Sequence, residues 1–181
     1  MFQAENLMPW RSALGNVIAG LEFKGVKKSE AIEKGRHWLR RVGLAGFEDS
    51  YPHHLSGGMR KRVSMAQTLI MDPDIILMDE SFSALDIQTR QLMENLLLDL
   101  WSGEKKAVLF ITHDLDEAIS MSDRVIVMSA GPASHPIGEF LIDLPRPRRV
   151  MDVKFSPRFV ELERAIWQEL EAQLPQEEGR R

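Results

Sequence analysis

The stretch from Leu55 to Asp86, LSGGMRKRVSMAQTLIMDPDIILMDESFSALD, constrains this chain more than any other. Within it, Ile75-Ile76-Leu77-Met78 is a short apolar run that ends in Asp79-Glu80. Four apolar residues closed by an acid describe a buried parallel strand with a carboxylate at its carboxyl end. Ligands in open α/β sheets bind at that end. Asp79 is then placed to hold a divalent cation such as Mg2+, and Glu80 to polarise an attacking water. The plainer alternative is a strand followed by an acidic turn.

Upstream, Ser56, Gly57 and Gly58 lead into apolar residues at Met59, Val63, Ala66 and Ile70, which is helical spacing. A helix start leaves backbone N–H groups unpaired and carries partial positive charge. Two glycines let an oxyanion approach the backbone, and Ser56 adds a hydroxyl. An ordinary serine cap with a flexible glycine pair fits the same residues. Downstream, Ser83-Ala84-Leu85-Asp86 precedes an amphipathic helix with Leu92, Leu96, Leu97 and Leu100 on one side. Ala107 to Ile111 reads as a second buried strand, with Thr112-His113-Asp114 at its end.

LSGGM, then IILMDE, then SALD, then a strand ending in His113: this order resembles the ATP-binding cassette (ABC) ATPase family. There LSGGQ is the signature motif, the apolar run with Asp-Glu is Walker B, SALD is the D-loop, and the lone histidine is the switch histidine. Met59 stands where the family usually has Gln. Near the start, Phe2-Gln3 followed by Leu7-Met8-Pro9-Trp10 resembles the family's Q-loop region. The resemblance implies an α/β fold of the P-loop NTPase type with a helical subdomain, and ATP and Mg2+ as cofactors. It assigns catalysis to Glu80, His113 and Gln3, Mg2+ to Asp79 and Gln3, and the nucleotide to Ser56, Gly57, Gly58 and Asp86. The signature residues would face the ATP of a second ATPase subunit.

The family also needs a strand and a G-x-x-x-x-G-K-[ST] loop before the Q-loop. No such motif occurs in the chain. Gly20-Leu21-Glu22-Phe23-Lys24-Gly25-Val26-Lys27-Lys28-Ser29 comes near but has Val26 at the lysine position, and reads better as a loop between helices. The expectation is therefore a carboxyl-terminal portion of one cassette, its parallel sheet lacking the phosphate-loop strand. That strand would lie between Ala107–Ile111 and Val125–Met128, leaving two unpaired edges. The expected parts are a helical subdomain over about 6–58, a Walker B, D-loop and switch-histidine core over 59–130, and a final strand and helix over 131–181.

Within these parts, Ser12 can cap a helix carrying Leu14, Val17, Ile18 and Leu21. Ser29 can cap another with Ile32, Trp38, Leu39 and Val42, stopped by Gly43. His53 and His54 have no further ligand at metal spacing and read as a loop. Ile137 to Ile142 reads as an edge strand, Pro145-Arg146-Pro147-Arg148-Arg149 as a solvated basic linker, and Ser156-Pro157 as the start of a helix with Phe159, Leu162, Ile166 and Leu170 aligned.

The 181 residues are 44% apolar and 28% charged, a globular balance. A net charge of −4 gives no basic field for nucleic acid. Without cysteine there is no disulfide and no thiolate metal site. No apolar run reaches membrane-spanning length. Leu7-Met8-Pro9-Trp10-Arg11 and Asp143-Leu144-Pro145-Arg146-Pro147-Arg148 are similar to the importer ATPases for nitrate, sulfonate and taurine. That resemblance implies transmembrane permease partners, a solute-binding protein acting through them, and a cytoplasmic place on the inner face of the membrane. A non-hydrolysing partner that offers its signature loop in trans is a second expectation. An ABC protein of DNA repair or translation is a third, and the chain has no second cassette to match it.

Overall fold

A computed structural model describes residues 6–82, 85–103 and 106–172. It divides into two compact units, 1–112 and 113–181.

The first unit begins with three helices: α1 (Ala13–Phe23), α2 (Lys28–Arg41) and α3 (Gly57–Leu69). Ser12 caps α1 as expected, its hydroxyl accepting the Gly15 N–H at 3.2 Å. By contrast α2 starts one residue before Ser29, and its N-cap, Lys27, offers no side-chain bond. The last turn of α2 closes at Gly43, whose φ of +70° is the left-handed geometry that ends helices. Leu14, Val17, Ile18, Leu39, Val42, Leu44, Val63 and Ala66 interlock in one buried core. Burial of these side chains, at about 1.5–3 kcal/mol for each large one, drives the three helices together.

After α3, β1 (Ile75–Asp79), α4 (Ile87–Gly103) and β2 (Ala107–Ile111) form a strand–helix–strand unit. The two strands pair in parallel, with Ile75 opposite Ala107 and Asp79 opposite Ile111. The expectation of strands buried on both faces is corrected here. Ile76 and Met78 point inward, whereas Ile75, Leu77, Leu109 and Ile111 are each more than half exposed on the other face. Alternation along a pleated strand puts these exposed residues on one side and Ile76 and Met78 on the other. On α4 the buried stripe is Met93, Leu97 and Leu98, while Leu92 is exposed.

The second unit holds α5 (Leu115–Met121), β3 (Arg124–Met128), β4 (Pro136–Leu141), α6 (Val150–Lys154) and α7 (Pro157–Glu171). β3 and β4 are antiparallel, with an irregularity between Val127 and Met128. Among the described residues no ladder joins β2 to β3: the strands form two separate pairs. Ser156 caps α7 and Pro157 occupies its first turn, as read from the sequence. Phe159, Leu162 and Ile166 pack with Ile119, Val127, Ile142, Leu144 and Val153.

The basic run at 145–149 is not a solvated linker. Arg148 is only 4% exposed. Its guanidinium donates to the carbonyls of Ser122, Ile142 and Leu144 at 2.5–3.1 Å. Arg146 makes a two-pronged contact with Asp123, at 2.9 Å from Nε and 2.7 Å from Nη2. Both arginines thus satisfy a chain reversal that has no ladder of its own. Arg148→Met keeps the bulk and strands three carbonyls. The expected loss is on the order of 3 kcal/mol of unfolding free energy, read from urea melts of the chain. A loss under about 1 kcal/mol would mean that the guanidinium is not what holds the reversal.

Candidate functional site

Three turns of the first unit carry Ser56, Gly57, Gly58, Asp79, Glu80 and Asp86. The first is the start of α3. The Ser56 hydroxyl accepts the Met59 N–H at 3.3 Å, so the serine is a true N-cap. The N–H groups of Gly57 and Gly58 find no acceptor among the described residues. Gly57 is exposed and has no close neighbour on its Cβ side except the guanidinium of Arg60, 3.7 Å away. Open N–H groups, a neutral cap and a nearby guanidinium favour an anion here.

The second turn follows β1. Asp79 ends the strand and is exposed. Glu80 takes a left-handed backbone with φ of +42°, uncommon for a side chain with a Cβ. Its N–H donates to the Ile111 carbonyl at 2.9 Å, which ties the turn to the end of β2. Ser81 behind it is buried, and its hydroxyl has no partner among the described residues. Phe82 closes the turn underneath, its ring centroid 5.7 Å from that of Phe110. The backbone conformation sets the two neighbouring carboxylates, Asp79 and Glu80, at the carboxyl end of the parallel pair.

The third turn opens α4. Asp86 accepts the Thr89 N–H at 3.0 Å and also the Thr89 hydroxyl. It is a helix cap, and these bonds hold its carboxyl below the usual carboxylate range. Thr89 in turn touches the α3 turn, since a Cβ placed on Gly58 would lie 3.1 Å from the Thr89 methyl. The structure thus joins Ser56–Gly58 and Asp86 through Thr89. His113 heads the second unit and is exposed, and Asp114 beside it caps α5 through the N–H groups of Asp116 and Glu117. Gln3, Ser83 and Ala84 lie outside the described residues.

Two contributors escaped the sequence reading. Thr89 lies a full turn beyond the SALD motif, and no local signal marks it. Asn16 is wholly buried and fixes the loop before α1: it accepts the Met8 N–H at 2.7 Å and donates to the carbonyls of Met8, Arg11 and Ser12. A polar residue on the apolar side of a helix was the only available sign.

The Asp86 cap has a pH signature. A depressed carboxyl stabilises the fold above its unfolded pKa, near 3.8, and that contribution fades as pH falls through the lower folded value. Asp86→Asn should therefore be less stable than wild type at neutral pH, and the gap should close as pH drops below about 4. Chemical melts at neutral and acid pH read this. A gap that does not change with pH would show that the carboxylate charge is not what caps α4.

Against known proteins, the model of the ABC transporter family matches residues 1–83. An uncharacterised ABC transporter ATP-binding protein of Methanocaldococcus jannaschii is 53% identical over 156 residues, 86% of this chain and 58% of that protein. The taurine import ATP-binding protein TauB of Rhizobium johnstonii is 42% identical, over 92% of this chain and 64% of its own length. An ATP-binding protein of Brucella abortus biovar 1 is 41% identical, over 97% of this chain and 67% of its own length. The chain therefore spans roughly three fifths to two thirds of the length of these relatives. Among solved structures, the ATP-binding cassette MJ0796, a dimer in a post-hydrolysis state bound to ADP and Pi, superposes with a TM-score of 0.63 and 35% identity. That match covers 69% of this chain and 55% of the cassette. The identity, coverage and shared α/β fold are decisive: the chain belongs to the ABC transporter ATP-binding family.

Proposed function

We propose that this chain belongs to the ATP-hydrolysing subunit of an importer for a small anion such as nitrate, a sulfonate or taurine. The observation that carries this is the pairing of two turns of opposite character. One is the open, neutral N-terminus of α3. The other is the carboxylate pair at the end of β1. The first suits the phosphates of a second subunit's nucleotide, and the second suits a metal ion and an attacking water at this subunit's own nucleotide.

Magnesium fits the donors at hand. It takes oxygen ligands, keeps several waters and needs only one or two carboxylates beside the phosphates. Asp79 supplies such a carboxylate, exposed at the strand end. Bound there, the ion would draw charge from the terminal phosphates. Glu80 accepts a hydrogen bond from the attacking water and takes its proton. His113 would donate to the terminal phosphate, and Gln3 would serve the ion and the water. Ser56, Gly57 and Gly58 would close over the ATP of a second ATPase subunit, and Asp86 would contact the nucleotide as well. The dimeric cassette relative supports that arrangement. Transmembrane permeases would carry the solute, delivered by a solute-binding protein, with this subunit on the inner face of the membrane. The taurine relative supports the solute class.

A second reading rests on the open N–H groups of Gly57 and Gly58 at the start of α3. On that reading the chain does not hydrolyse ATP itself and offers Ser56, Gly57 and Gly58 in trans.

Glu80→Gln separates the two. In the complex isolated from its native membrane, ATP turnover should fall at least roughly 100-fold while ATP binding persists, because the shape stays and the base is lost. Turnover within a few-fold of wild type would favour the trans reading.

Solute class is read in membrane vesicles. Uptake of taurine, an alkanesulfonate or nitrate should stop with Glu80→Gln. If only glycine betaine uptake stops, the anion assignment fails.

A further inference from the structure

The first unit holds a cavity of about 460 Å3, and none of Ser56, Gly57, Gly58, Asp79, Glu80 and Asp86 lines it. It lies at the amino ends of β1 and β2, among residues of α2 and the last turns of α4. Its volume is within the roughly 300–1,000 Å3 of small-molecule sites and well beyond a bare inorganic anion. Leu69, Ile70, Ile76 and Leu97 give it a buried apolar floor. Two indoles add flat surface, Trp38 from α2 and Trp101 from α4. Both are held in place. Trp101 Nε1 donates to the Lys106 carbonyl at 2.9 Å, and Trp38 packs against the three-helix core.

The charges around the cavity do not balance. Lys106 pairs with Asp72, so those two cancel. From α2 come Lys34, His37 and Arg41, spaced along one helical face with Trp38. Lys34 pairs with Glu30 a turn away, both about half exposed, and such a pair holds little. Arg41 has no ion pair among the described residues, and its guanidinium lies 4.9 Å from the Trp38 ring centroid. The aromatic face thus holds a planar, permanently charged fork at the cavity wall. Asp99 is the acid that remains against these cations.

We propose that this cavity binds a small aromatic acid, its ring against the indoles and the apolar floor and its carboxylate or sulfonate on Arg41. A flat ring fills such space with little loss of conformational freedom, and a guanidinium takes either acid group by two parallel hydrogen bonds. An inorganic anion would leave the floor wet. A neutral ring would leave the guanidinium without a counter-charge.

The chain's four tryptophans report the site directly, since Trp10 and Trp167 do not line it. In the 181-residue chain labelled with 15N, 2-naphthoate should shift the indole N–H signals of Trp38 and Trp101 and leave those of Trp10 and Trp167. Trp→Phe variants assign the four signals. The expected Kd is about 1 mM. The uncharged 2-naphthamide should bind at least about tenfold more weakly, and sulfate alone should shift neither signal. Arg41 is exposed, so Arg41→Gln leaves the packing alone. It should weaken naphthoate to the level of the amide without changing the amide.

Equal shifts at all four indoles overturn the site. Naphthamide binding as tightly as naphthoate, or naphthoate binding undiminished by Arg41→Gln, overturns the acid. Sulfate shifting the two signals as naphthoate does overturns the ring.

Discussion

The turn that carries the carboxylate pair hangs on the hydrogen bond from the Glu80 N–H to the Ile111 carbonyl, at the carboxyl end of the parallel pair. A left-handed residue with a side chain costs on the order of 1 kcal/mol and persists only where its surroundings determine it. Here three features do so. β1 and β2 are in register up to Asp79 and Ile111, the backbone bond pins the next residue, and buried Phe82 anchors the chain against Phe110 one step later. Together they turn the chain sharply between Asp79 and Phe82. The side chains of Asp79 and Glu80 are thereby left at the strand end while the backbone moves on toward α4. Strain of this kind, next to a buried hydroxyl with no described partner on Ser81, is what a fold tolerates where position matters more than stability.

What the sequence disclosed was local. Ser12, Ser56 and Ser156 are caps because each needs only its own helix to bond to, and the spacing of apolar residues behind them was enough to place them. Ile75–Asp79 and Ala107–Ile111 came out with the expected bounds for the same reason. The misses are tertiary. Ser29 had the right composition for a cap, but α2 begins at Lys28 and leaves it inside the helix. Arg148 looks like its neighbours Arg146 and Arg149 in sequence, and only the folded chain reveals that carbonyls from Ser122 and Leu144 converge on it. Leu77 and Leu109 are as apolar as Ile76 and Met78, and periodicity cannot say how many faces of a strand will be covered. Thr89 was invisible because its partner, Gly58, belongs to a different motif.

Four helix starts of the chain illustrate how charge is distributed among such ends. The N-terminus of α4 is closed by the carboxylate of Asp86, and that of α5 by the carboxylate of Asp114. The first N–H groups of α1 are taken by the carbonyls of Ser50 and Glu48. Each of these ends is already satisfied, electrically or by hydrogen bonds, and a bound anion would have to displace what is there. The start of α3 differs in each respect. Its cap is an uncharged serine, its first turn has no acidic residue, and its first two residues are glycines whose N–H groups lack described acceptors. Asp86 is engaged by Thr89. A carboxylate free to face an anion would repel it, whereas Asp86 accepts two bonds from Thr89 on its own helix, and the Thr89 methyl lies against the α3 turn at Gly58.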